Sequence, residues 1–427
     1  MTRSNRVAVL VGAHHAATQF VPELRARDVE CVHVRVPHPP ASSMFPSVPR
    51  EDFLAEVTHH GDLNETVACL GRYRPAWVIP GYEGSVELAD QLADALGSPG
   101  NGIERSTARR DKFNMALAVS GRGLRVIRQF KCADPERAVA WAREENLTRT
   151  VVKPVHGSGT DSVFLCSTEA SIRRRAAAVL GSRHHVGLLN EEILIQEFID
   201  GSEYIVNTVS RNGLHRVTGV WLYHKFELPG VTAIYDWDEL LDPADPVVER
   251  LSEYARGVLD ALEIRHGPAH TEIMVDAAGP VLIECGARLD GLDYRPLTCR
   301  CMGVGQVEIA CDAYLAPDAF LVGARSYSRL EHATNVVLIT PAATTATSFD
   351  RLAQIRTLPS FVDLLLRVRP GDHLPATTDY QTAPGVVFLA HPDDDVIRKD
   401  YRRIREIQAG GLFSRSIGTA PDRFTLD

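Results

Sequence analysis

Three short apolar runs, spaced by helix-length segments, do most to limit what this chain can fold into. RVAVLV (Arg6 to Val11), VECVHVRV and RPAWVIP (Arg74 to Pro80) read as strands, the first of them of the buried type. Between and after them, Ala16 to Arg27, Leu63 to Tyr73 and Ser85 to Leu96 carry apolar residues at helical spacing. This β-α-β-α rhythm implies a parallel, doubly wound sheet. The turn after the first strand, GAHHAA, lacks the G-x-G-x-x-G pattern, so a dinucleotide is not indicated. The Gly/Pro cluster GSPGN (Gly97 to Asn101) marks the end of this unit.

The chain of 427 residues is 44% apolar, enough for two or three domains with their own cores. A helix is expected over Ser106 to Ser120, then a strand in LRVIRQF, then a helix from Asp134-Pro135 to about Asn146. TVVKPV and VFLC read as strands joined by the polar loop HGSGTDS, with a helix over Thr168 to Leu180. ILIQEFI, EYIVNTV and HRVTGVWLY read as antiparallel strands, with turns at Asp200-Gly201 and Asn212-Gly213. Asp245-Pro246 opens a helix to about Leu262. From about Ser326, NVVLIT, FVDLLLRV and GVVFLA and a helix over Asp394 to Gln408 form a last unit.

The net charge of −9 argues against general attraction to nucleic acid or anionic lipid. No apolar run approaches the roughly 18 residues of a membrane span. The N-terminal run is too short for a signal peptide and reads as the first strand. The eight cysteines form no C-x-x-C pair; Cys299-x-Cys301 is the nearest approach to one. Reduced thiols in the cytoplasm are the simpler reading.

Four constellations carry chemistry, and each has a bland counterpart. In VVKPVHGSGTDSV, Lys153 ends a strand before a Gly/Ser/Thr loop whose N–H and hydroxyl groups suit phosphate oxygens; a plain hairpin loop would look the same. In RRDKFNM, Lys112 sits early in a helix, as a phosphate partner or as a solvated lysine. In LIQEFIDGSEYIV, a strand ends at Gln196-Glu197-Phe198, whose backbone suits an adenine edge. Glu203 beyond it suits ribose hydroxyls, or is merely a surface acid. In HTEIMVDAAGPVLIECGARLDG, two apolar runs joined by a tight turn carry Glu272 and Glu284, with Arg288 four residues on. Two carboxylates on one face of adjacent strands could bridge Mg²⁺ ions, with Arg288 at a transferring phosphoryl group; a structural salt-bridge pair is the alternative.

The order of these features, after a β-α-β unit, resembles the ATP-grasp superfamily of carboxylate–amine ligases, from Arg6 to about Gly305. Within it, HTE, IE…ARLDG and PGYEGSVELADQLADALGSPGN are similar to the L-amino acid ligases that make dipeptides. The resemblance implies an α/β and α+β architecture. A doubly wound domain would span 1–105, a small ATP-grasp subdomain 106–190, a large one 191–325 and a C-terminal α+β subdomain 326–427. It implies ATP with two Mg²⁺ ions, Mn²⁺ being an alternative, and amino acid or other carboxylate and amine substrates. It implies no nucleic acid or membrane partner, and a homodimer is a common assembly.

Residue by residue, the resemblance implies that Lys112 and Lys153 bind phosphates and that His156, Gly157, Ser158, Gly159 and Thr160 form a loop closing on them. Gln196, Glu197 and Phe198 would meet adenine and Glu203 the ribose. Glu272 and Glu284 would ligate Mg²⁺, and Arg288 would steady an acyl phosphate. Glu83, in PGYEGS at a strand end, would pair with a substrate amine. His270 shares the strand face of Glu272, and Gly291 lies just beyond Arg288. Tyr223, Lys225 and Asp236 lie in YHKFELPGVTAIYDWD, a specificity loop or a hairpin tip. One position departs from the pattern: many members have E-x-N in the second strand, the Asn being a metal ligand, where this chain has Glu284-Cys285-Gly286. Other readings are an ATP-grasp ligase of purine metabolism, a carboxylase, a kinase making a free acyl phosphate, and a non-catalytic ATP-binding protein.

Overall fold

The structure, a computed structural model, describes residues 6–37, 39, 45–157, 162–182, 189–228 and 231–413. The N-terminal unit holds β1 (Arg6–Val11), α1 (Phe20–Arg25), β2 (Val29–Arg35), β3 (Ala55–Thr58), α2 (Leu63–Gly71), β4 (Trp77–Pro80) and α3 (Val86–Ala95). Its four strands are parallel, in the order β3-β2-β1-β4. The all-apolar β1 is explained by burial on both faces. Ala8 and Leu10 pack with Phe20 and Leu24 of α1, while Val7, Val9 and Val11 pack with Leu70 of α2 and Leu92 of α3. The edge strand β3, AEVT, is half-buried over Ala55, Glu56 and Val57 and exposed at Thr58, and carries no apolar run that sequence reading could detect. The order reverses between β1 and β4, so a crevice at their C-terminal ends is where such a sheet holds ligands. Glu83 follows β4 directly.

The helix expected over Ser106 to Ser120 is split. Thr107–Arg109 is a 3₁₀ turn, and α4 (Lys112–Ser120) begins afresh because the Asp111 carboxylate accepts from the N–H groups of Phe113 and Asn114. Lys112 is thereby fixed at the first turn.

A small antiparallel sheet follows, in the order β5-β8-β6-β7. It is built from β5 (Gln129–Cys132), α5 (Pro135–Glu144), β6 (Thr150–Pro154), β7 (Phe164–Cys166), α6 (Glu169–Val179) and β8 (Ile193–Glu197). Asp134 and Thr168 cap the two helices. ILIQEFI and EYIVNTV do not form the hairpin that Asp200-Gly201 suggested. The first is β8 of the small sheet, and the second is β9 (Ser202–Arg211) of another. Gly201 is needed there for room, since a Cβ would lie 2.2 Å from the Val275 carbonyl oxygen.

The large sheet adds β10 (Leu214–Leu228), β11 (Val231–Leu240), α7 (Pro246–Ala261), β12 (Gly267–Asp276) and β13 (Gly279–Gly286). Beyond it come α8 (Arg295–Met302), α9 (Gln306–Leu315), α10 (Pro317–Val322), β14 (His332–Val337), β15 (Thr344–Thr345), α11 (Leu352–Arg356), β16 (Phe361–Leu366), β17 (His373–Leu374), β18 (Gly385–His391) and α12 (Asp394–Ala409). The strand order is β13-β12-β9-β10-β11-β14-β18-β16. The boundary expected near residue 326 therefore falls inside one continuous sheet, because β11 pairs with β14 through Trp237↔Val336 and Glu239↔Thr334. Among the described strands after β13, the β15–β17 ribbon stands apart from this sheet. No described helix is long and apolar enough to cross a membrane.

Candidate functional site

The centre of the site is the β12–β13 hairpin. Its register pairs Glu272 directly with Glu284, so the two side chains are same-face neighbours. The turn is held by Asp276, which accepts from Ala278 N–H and takes the Arg125 guanidinium in two 2.7 Å bonds. A register shift just after Glu272 marks a bulge, a device that re-aims side chains beside functional sites.

The surroundings of Glu272 favour its charged form. Burial opposes its charge, but the His270 hydrogen bond and the charges of His270, Lys225 and Arg288 hold the carboxyl down to about 2. His270 Nε2 lies 3.3 Å from Glu272 Oε1, and its Nδ1 lies 3.0 Å from Asn207 Oδ1. Asn207 Nδ2 in turn donates to Asp290 Oδ2 at 2.8 Å, which fixes the amide so that its oxygen faces His270. Burial tends to discharge His270; Asp290 and Glu272 more than offset it and raise its pKa.

Both lysines feel the carboxylates of this hairpin. Lys112 Nζ lies 3.0 Å from Glu284 Oε1 and donates to the Gly157 carbonyl at 2.8 Å. Lys153, near the end of β6, is buried, and burial together with the Lys112 charge lowers its pKa to about 8, against the pull of Glu284, Glu272 and Glu203. His156 is exposed at the surface, and desolvation by its neighbours lowers its pKa from the ordinary histidine value. Ser158, Gly159 and Thr160 lie outside the described residues.

At the hinge, Gln196 bonds Gln129, and Glu197 accepts from the backbone and side chain of Arg128. Of the backbone N–H and C=O groups expected at an adenine edge, the N–H groups of Glu197 and Phe198 are already engaged. Glu197 N–H donates to the Arg128 carbonyl and Phe198 N–H to the Arg149 carbonyl, and the Arg149 guanidinium lies 3.7 Å from the Phe198 ring centre. These amides are committed to joining the small sheet to its flanks. Glu203 is reached by Lys225, whose Nζ lies 2.7 Å from both carboxylate oxygens and 4.0 Å from the centre of the Tyr235 ring.

Arg288 donates from Nε to Glu83 Oε2 at 3.0 Å and from Nη1 to the Leu289 carbonyl at 2.8 Å. Arg110 pairs with the other oxygen of Glu83. Burial opposes the Glu83 charge, yet Arg110 and Arg288 keep its pKa below the usual range. Tyr223 packs against Tyr235 with ring centres 4.9 Å apart, and burial raises both phenols well above the ordinary tyrosine value. Two expectations are not brought together with the rest. Asp236 faces α12, where it accepts from Tyr401 at 2.6 Å and pairs with Arg405. Gly291 is exposed in the loop after β13, with open space where a side chain would stand.

Sequence reading missed Arg110, Asn207 and Asp290. The RRDK string placed two arginines before the cap of Lys112, which was the available signal for Arg110. Asn207 was findable only by aligning EYIVNTV with HTE in antiparallel register.

Among the described residues, no group of three or more His, Cys, Asp or Glu side chains is placed to hold a metal alone. The Glu272–Glu284 pair instead offers hard carboxylate oxygen donors from two adjacent strands, which fits Mg²⁺ completing its shell with phosphate and water oxygens.

Residues 147–293 match the ATP-grasp domain family model. Over 421 residues, 95% of this chain and 96% of the relative, the sequence is 28% identical to dapdiamide A synthase of Enterobacter agglomerans. The fold superposes on an L-amino acid ligase from Bacillus licheniformis with a TM-score of 0.75 at 17% identity, covering 95% of this chain and 98% of that one. It superposes on an ADP complex of N5-carboxyaminoimidazole ribonucleotide synthetase with a TM-score of 0.70 at 15% identity, covering 96% and 99%. The fold is thus that of the ATP-grasp enzymes, with a parallel N-terminal sheet ahead of antiparallel ones.

Proposed function

We infer that this chain, which carries an ATP-grasp domain, is an ATP-dependent carboxylate–amine ligase that activates an amino acid carboxylate as its acyl phosphate and joins it to an amine, a second amino acid. The observation that carries this reading is the convergence of Lys112, Lys153, Glu272, Glu284 and Arg288 from separate elements onto one hairpin.

A carboxylate is a poor electrophile, and transfer of the γ-phosphoryl group gives it a leaving group. That step is largely positioning and charge neutralisation. Lys112 and Lys153 neutralise the polyphosphate, and Glu203 with Lys225 receives the ribose end. The hinge at Gln196, Glu197 and Phe198, its amides being committed, would turn its carbonyl side to adenine. Glu272 and Glu284 would hold Mg²⁺, which when bound offsets phosphate charge and aligns the oxygens in transfer. Arg288 stabilises the oxyanion as the amine attacks and phosphate leaves. The His156 to Thr160 loop excludes water from the acyl phosphate. Tyr223 and His270 would line the substrate side. All eight cysteines are unpaired thiols, which suits a cytoplasmic setting.

With ATP, Mg²⁺ and a screen of amino acid pairs, the protein should release ADP and phosphate only when both substrates are present, with a dipeptide visible by mass spectrometry. Release of AMP and pyrophosphate would sink this reading, as would ADP release that needs no amine.

The state of Lys153 gives a pH dependence. ATP prefers its ammonium form, which is lost as pH rises through about 8. Calorimetric ATP affinity should therefore fall about 5–10-fold between about pH 7 and pH 9.5, the worth of one partly buried charge contact. Lys153→Arg stays charged and should show a flat profile over that range.

A further inference from the structure

Gly286 stands where the ATP-grasp pattern often has a metal-binding Asn, and the structure shows what fills that space. Its φ is not in the left-handed region, so glycine is not required by the backbone there. A side chain there would instead displace the side chains around it. A Cβ on Gly286 would lie 2.6 Å from Glu83 Oε2 and 3.3 Å from Arg288 Cζ and Nε. The carboxylate of the N-terminal unit thus sits directly over the β13 backbone, at the rung opposite His270. It is clamped from both sides, Arg110 on Oε1 and Arg288 on Oε2. Glu83 itself is 8% exposed. An anion already balanced by two arginines has little charge left to attract a substrate ammonium, so the amine-binding role expected from the sequence does not fit.

We propose that Glu83, braced by Arg110, is a positioning residue that fixes the guanidinium of Arg288, and that Gly286 is glycine because any side chain there would push Glu83 off it. The claim rests on the ligase reading for its kinetic consequence, though not for its geometry. Arg288 has five N–H donors. Nε is spent on Glu83 and one Nη1 hydrogen on Leu289. Those two contacts set the plane and the rotation of the group and leave its remaining donors for the developing oxyanion. The N-terminal domain thereby completes a centre otherwise built from α4, the small sheet and the large sheet.

Glu83→Ala should lower kcat by ~10²-fold, the cost of about an ångström of misplacement, with the KM of either amino acid changed less than about threefold. Glu83→Gln keeps an acceptor for Nε and should restore kcat to within about fivefold of the parent. Gly286→Ala should lower kcat about 10- to 100-fold, and the Gly286→Ala/Glu83→Ala double variant should be no slower than Glu83→Ala alone. A raised KM with preserved kcat in Glu83→Gln would overturn the proposal in favour of ammonium binding, and so would losses in the double variant that multiply. A crystal structure of Gly286→Ala tests the geometry without turnover: Glu83 should have left Arg288, and an intact pair would refute the proposal even if turnover fell. A parent protein that turns over no substrate pair, with Glu83 displaced in that crystal, would refute the ligase reading and leave the positioning claim standing.

Discussion

Glu284→Gln should reduce ADP release by ~10³-fold or more while the protein stays folded. The substitution is isosteric and removes one charge. Glu284 lies across the strand pair from Glu272 and 3.0 Å from Lys112 Nζ. A glutamine can still accept from Lys112, so the contact that fixes the lysine is retained in shape and the melting temperature should move by only about 1–2 °C. What is lost is an anionic oxygen for a divalent cation. Metal charge stabilisation is worth several kcal/mol in a transition state, and each ~1.36 kcal/mol is a factor of ten. A compensating gain is unavailable from Gly286, which has no ligand atom and no room for one. The check is a coupled ADP assay across a Mg²⁺ titration, with thermal melting run in parallel. The Mg²⁺ requirement should also shift to higher concentration. A variant with the parent's rate and the parent's Mg²⁺ curve would dispose of the metal role of Glu284.

How much of this was legible in the sequence depends on the span over which each feature is encoded. The lysine ending β6, the hinge and the two acids of the β12–β13 hairpin are local strings, readable because strand period and turn chemistry act over a few residues. The parallel N-terminal sheet was legible for the same reason, down to the all-apolar β1. The pairings that define the centre are not local. Glu83 and Arg288 are 205 residues apart, and Asn207 and Asp290 are 83 apart. Nothing in either neighbourhood specifies the other, so Glu83 looked like a lone acid at a strand end and Gly286 like a missing ligand. Together they are one packing solution. Asp236 shows the converse error. Its neighbours in sequence suggested a specificity loop, but alternation along β11 turned it to α12 and Arg405. The C-terminal strands were recognised as strands, yet their place in the large sheet depended on the non-local β11–β14 pairing.

Arg109→Met should destabilise the protein by about 3–5 kcal/mol, the largest stability loss expected of a single substitution outside the hydrophobic core. Arg109 is fully buried. Its Nε donates to Asp90 of α3 at 3.1 Å, its Nη1 to the Leu262 carbonyl at 2.8 Å, and its Nη2 to the Gly102 carbonyl. One side chain therefore ties the N-terminal unit, the segment after it and the end of α7. Methionine fills part of the volume but strands two carbonyls and a buried carboxylate. Asp90 keeps only its Ser106 hydroxyl contact at 2.7 Å. The sign of the pH effect follows. Burial already raises the Asp90 pKa in the parent, against the pull of Arg109 and Ser106, and without Arg109 it rises further. The folded variant then holds a proton that the unfolded chain releases above about pH 4, so its deficit grows as pH rises and shrinks in acid. Adding Asp90→Asn removes the orphaned charge and should return about half of the loss. Urea unfolding of the single and double variants at about pH 5 and about pH 8 measures each term. A deficit indifferent to both pH and Asp90→Asn would mean that the buried ion pair is not what Arg109 contributes.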